Sequence, residues 1–148
     1  MKALLSIVLS SVLVLASGAV MADSDETYVR ASGQLGPGRG TIIIDLAPPP
    51  GGELTQDAPL VVEARGDGLN FPERIKTRLD PAQLPIRLPV DVADGALGPA
   101  HIELSYYWCQ DGKAKSCNPE RARLTVGLRL DGDAPGGEAH FTHTARAR

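Results

Sequence analysis

Aromatic residues are scarce in this chain of 148, with one Trp, three Tyr and two Phe. Three of these lie side by side at Tyr106-Tyr107-Trp108, next to Cys109, one of only two cysteines. Two cysteines allow a single disulfide, Cys109 with Cys117, and exclude a Cys-x-x-Cys redox motif. An excess of basic residues is also lacking, at 15 Lys+Arg against 18 Asp+Glu, and no basic stripe suggests nucleic acid as a partner. No window carries a helical period, and no internal repeat is present. No nucleophile motif of the Gly-x-Ser-x-Gly kind points to hydrolysis.

One long apolar run is present. Met1-Lys2 and the stretch Ala3 to Leu15 form the charged and apolar parts of a signal peptide, and Val20-Met21-Ala22 before Asp23 resembles its cleavage site. Ser17-Gly18-Ala19 is the alternative cut. The run is shorter than the roughly 20 residues a spanning helix needs, and no later stretch is apolar enough to span. The expected product is an exported chain, periplasmic and free of the membrane once residues 1–22 are removed. Outside the reducing cytosol the two cysteines pair by default. The acidic start, Asp23, Asp25 and Glu26, reads as a solvated tail.

What remains reads as strands. Ile102, Leu104, Tyr106 and Trp108 alternate with Glu103, Ser105, Tyr107 and Cys109. Past Cys117, Ala122, Leu124, Val126, Leu128 and Leu130 alternate with Arg121, Arg123, Thr125, Gly127 and Arg129. The pattern predicts a β-hairpin with a disulfide at its neck. Its polar tip holds the Asp111-Gly112 turn signal, and Lys113 and Lys115 lie in the tip between the cysteines. Cys109 shares the face opposite Trp108, so its sulfur is not required to be in the core. Closing so short a loop adds on the order of 2–3 kcal/mol.

Other segments fit the same architecture. Thr41 to Leu46 is a β-branched strand ended by Pro48-Pro49-Pro50-Gly51-Gly52. Ser32 to Gly40 is glycine-rich and reads as flexible. It lacks the helix a phosphate-binding loop needs. Leu60 to Ala64 is a strand stopped by Arg65-Gly66-Asp67-Gly68, a turn that also spells an adhesion tripeptide. Pro72, Pro81, Pro85 and Pro89 predict edge strand and loops rather than central strands. Asp94-Gly95 and Gly98-Pro99 predict a turn, and Asp131 to Gly137 a loop without the downstream carboxylate of a calcium site. Ala139 to Thr144 is a last short strand or tail. The whole predicts an all-β, immunoglobulin-like antiparallel sandwich of about seven strands. Residues 23–57 supply a strand and Gly/Pro-rich loops, 58–131 the sandwich core and 132–148 the terminal strand or tail.

Tyr106-Tyr107-Trp108-Cys109, Cys117-Asn118-Pro119-Glu120 and the run Leu84-Pro85-Ile86-Arg87-Leu88-Pro89-Val90 resemble two families. One is the periplasmic amino-terminal domain of the thiol:disulfide interchange protein DsbD. The other is the carboxy-terminal β-domain of thioredoxin-like NHL-repeat proteins. The resemblance spans residues 59–131 and implies that Cys109 and Cys117 are a redox pair whose partner is a periplasmic thioredoxin-like protein. It implies no cofactor. It also implies an aromatic cap over the disulfide, for which Phe71 and Tyr107 are the candidates.

Two alternatives stand beside redox exchange. The disulfide is a structural staple in a non-catalytic protein-binding module, or the cysteines join His140 and His143 at a copper or zinc site. In the second case the two histidines, three apart on a strand, would face opposite ways and need a turn to meet.

Overall fold

The computed structural model describes residues 26–72, 75–78, 80–110, 116–129 and 136–147. The leader, Asp23, Asp25, the hairpin tip with Lys113 and Lys115, Leu130 and most of the Asp131 loop lie outside the described residues. Among the described residues there are eight strands: β1 (Glu26–Arg30), β2 (Gly38–Ala47), β3 (Gly52–Leu54), β4 (Pro59–Asn70), β5 (Ile75–Arg78), β6 (Ile86–Gln110), β7 (Cys117–Val126) and β8 (Gly137–Thr144). A single 3-10 turn at Pro81–Gln83, capped by the Asp80 carboxylate, precedes β6.

The all-β sandwich follows from β6, which runs for 25 residues and serves both layers. Its first part pairs antiparallel with β2, from Ile86 to Val92, and its last part pairs antiparallel with β7, from Ala100 to Cys109. Even-numbered side chains point inward along most of its length: Leu88, Val90, Val92, Ala96, Ala100, Ile102, Leu104, Tyr106 and Trp108 are all buried. β2 carries β8 on its other side and β7 carries β1, both parallel, so the sandwich is mixed rather than purely antiparallel. β4 pairs with both parts of β6, and β5 borders β4. Ala139, Phe141 and Ala145 join Ala122, Leu124 and Tyr106 in one apolar cluster between the layers. Leu128 is partly buried at its margin.

Several local expectations are corrected. Arg65-Gly66-Asp67 does not end a strand. It lies within β4, where two register shifts against β6 absorb the glycines, and Arg65 donates from Nη2 to Glu103 Oε1 at 3.2 Å. Asp94-Gly95 and Gly98-Pro99 likewise stay within β6, as the irregular stretch between its two parts. Gly68, at φ +73°, sits against Ala96 so closely that a Cβ would lie 2.7 Å from the Ala96 Cα. Pro89 is at an edge position, as expected, and pairs with Thr41. There β6 has β2 on one side and, among the described residues, no strand on the other, because the β4 pairing stops at Asp91, so a residue without an N–H is tolerated.

The glycine-rich segment before β2 is pinned rather than flexible. Leu35 is completely buried, its N–H donates to the Gly127 carbonyl and its own carbonyl accepts from Arg129. Glu26, expected in a solvated tail, opens β1 opposite Arg121. The last segment is a full strand, held by eight register pairs to β2.

Candidate functional site

Cys109 and Cys117 are direct partners in the β6–β7 register and are joined by a disulfide, with Cα atoms 3.9 Å apart. Just beyond them Gln110 N–H donates to the Ser116 carbonyl at 2.9 Å, closing the neck of the hairpin. The two sulfurs stand in different surroundings. Cys109 is 2% exposed, whereas Cys117 is open to solvent.

The asymmetry comes from strand neighbours. β6 is flanked at Cys109 on both sides, by β7 and by β3, where Glu53 is the register partner. Among the described residues β7 has a second neighbour only from Arg121 onward, where β1 begins, and none of them forms a second strand beside Cys117. Alternation alone put Cys109 on the solvent side. The short strand β3, which carries no strong sequence signal, buries it.

The cap candidates separate. Tyr107 lies on the same face as Cys109, half-buried, with its carbonyl accepting from Thr55 N–H at 3.3 Å. Phe71 follows Asn70, whose register partner is Asp91, so it lies near the first part of β6 and the cysteines at its end.

On the inner face, three residue pairs below the disulfide, lies a polar cluster that sequence reasoning missed. Tyr106 and Glu120 are register partners, and Glu120 is 1% exposed. Facing them from β8 is His143, 3% exposed, with Nε2 3.3 Å from Glu120 Oε1. The Tyr106 and His143 rings meet edge to face, with centroids 6.0 Å apart. Arg146 N–H donates to Glu120 Oε2 at 3.5 Å, and its guanidinium donates to the Thr27 hydroxyl of β1.

Burial holds His143 below the ordinary histidine range. It outweighs the Glu120 carboxylate, which acts in the opposite sense, and the nearby Arg146 cation adds to the lowering. The imidazole is then neutral near pH 7, and the contact with Glu120 makes Nε2 the protonated nitrogen. Burial first, and the Glu120 charge second, push the Tyr106 phenol above its usual range, so it stays protonated. The Tyr106 hydroxyl and Trp108 Nε1 have no hydrogen-bond partner among the described residues. A signal for the cluster did exist. Glu120 continues the inward series Ala122, Leu124, Val126, and His143 continues Ala139 and Phe141.

The geometry does not assemble the copper or zinc set. His143 points inward onto Glu120, while His140 points outward with Nε2 3.4 Å from Glu138 Oε2, and the sulfurs bind each other. His101 is exposed in β6 opposite Thr125.

The outer face of β4, β6, β7 and β1 carries a polar ladder. Glu103 Oε1 accepts from Arg65 and lies 3.9 Å from Arg123 Nε, and Arg123 donates to the Tyr28 hydroxyl at 2.9 Å. Arg123 thus links Glu103 to Tyr28 across the strands. Comparison with protein-family models and with curated protein sequences found no match to this chain.

Proposed function

We propose that the chain is an exported thiol–disulfide exchange module in which Cys117 is the sulfur a partner attacks. The single observation that carries this reading is the exposure of Cys117 beside a buried Cys109. The leader at residues 1–22 and the resemblance to the DsbD amino-terminal domain support the compartment and the chemistry.

A thiolate of a reduced, thioredoxin-like dithiol protein attacks Cys117 Sγ. The new sulfur–sulfur bond forms as the Cys109–Cys117 bond breaks, and Cys109 leaves with the electron pair and takes a proton from water. The partner's second thiolate then attacks its own sulfur in the mixed disulfide and releases Cys117. The partner ends as a disulfide, and this chain carries two electrons as a dithiol.

A second reading is favoured by the burial of Cys109 between two strands. In it the bond is a staple at the end of β6, and the module binds a protein partner without exchange. Trapping separates the two. Oxidised protein is incubated with a thioredoxin-fold protein reduced to a single active-site cysteine, and linked species are mapped by mass spectrometry. Exchange predicts an adduct on Cys117. No adduct, or an adduct confined to Cys109, contradicts it.

A further inference from the structure

We propose that Glu120, His143 and Arg146 form a proton-sensitive latch that holds β8 and its following segment against the base of the cysteine hairpin, and that acidification opens it. The latch does not depend on the exchange chemistry. It rests on where four elements bring their polar groups together.

β7 supplies Glu120 and β8 supplies His143, both buried and 3.3 Å apart, so one contact joins the two layers. The segment after β8 adds the Arg146 amide on Glu120 Oε2, and the Arg146 side chain reaches Thr27 in β1. β6 adds the Tyr106 phenol, edge-on to the imidazole. β2, which among the described residues is the strand paired along the length of β8, contributes Ile42, Ile44 and Leu46 to the core and no buried titratable group, since Arg39 and Asp45 are exposed. Among the described residues the groups facing His143 are therefore Glu120, Tyr106 and Arg146. Ala145 N–H donates to the Ala47 carbonyl and extends the strand contact past the latch.

β8 is held through its own pairing with β2, so it can separate locally without dismantling the β6–β7 hairpin. In the closed form burial of the imidazole outweighs the Glu120 carboxylate beside it, the Arg146 cation adds to the effect, and the ring takes a proton reluctantly. In the open form it is solvated and titrates near its ordinary value of about 6.5. A group with its pKa depressed in the closed state favours that state fully above the open-state pKa. The advantage is lost as pH falls from about 6.5 toward the depressed value, by up to about tenfold per pH unit in the opening equilibrium.

Hydrogen exchange on the full oxidised protein at pH 7.5, 6.5 and 5.5, corrected for intrinsic rates, tests this. Protection of the Phe141, His143 and Ala145 amides should fall by up to about tenfold per unit below pH 6.5, while that of Ile102 and Leu104 in β6 holds. In His143→Gln the β8 profile should be flat. If that variant does not fold, the comparison within the wild type decides. Constant or rising β8 protection on acidification overturns the latch, and so does an equal loss across β6 and β8.

Discussion

Trp108→Ala is expected to lower the unfolding free energy by about 3–5 kcal/mol, a large part of the roughly 5–15 kcal/mol a domain has. The indole is 1% exposed, and its ring lies so close under β3 that a Cβ on Gly52 would come within 3.0 Å of it. Nε1 has no partner among the described residues, so truncation removes packing and leaves no broken hydrogen bond to offset. Urea denaturation with the disulfide intact measures the loss, and a change below about 1 kcal/mol would contradict the packing described.

Gly136→Ala is the second large effect. Gly136 has φ +77°, and a Cβ there would lie 1.8 Å from the Arg39 carbonyl oxygen and 2.7 Å from its carbon. The glycine is fixed on both sides, since its N–H donates to the Pro37 carbonyl and its own carbonyl accepts from Gly36. Neither backbone can retreat without breaking the entry to β2 and β8. The expected cost is more than about 3 kcal/mol, or failure to fold. Gly51→Ala is the control, because φ is +75° there but nothing lies within 4 Å of an added Cβ. It should cost only the roughly 1–2 kcal/mol of the left-handed conformation. Equal losses in the two variants would show that the close approach at Gly136 does not matter.

The sandwich was readable because Ile102 to Trp108 and Ala122 to Val126 keep strict alternation through the central hairpin. The disulfide pairing needed no geometry, with only two cysteines available. The burial of Cys109 was not readable, because it depends on three residues, Gly52–Leu54, brought from far away in the chain. The prolines were legible for a simpler reason: Pro89 reads as an edge position, and it sits where β6 is bonded on one side among the described residues. The parallel pairings of β1 with β7 and of β2 with β8 are long-range and leave no local pattern. Glu120 and His143 were visible as inward positions, but a charged residue in an apolar series reads as a surface residue until the facing layer is known. Their meeting is a property of the sandwich, not of either strand.

A relay role requires the Cys109–Cys117 bond to be exchangeable, and the redox equilibrium of the purified oxidised protein in glutathione buffers tests that most directly. Thiols are trapped by alkylation and counted by mass. The prediction is an equilibrium between disulfide and dithiol well above about −300 mV, in the range where periplasmic and endoplasmic-reticulum oxidoreductases work. A pair that stays oxidised at every accessible glutathione ratio would place the potential below that value. It would make the bond a staple and contradict the exchange reading.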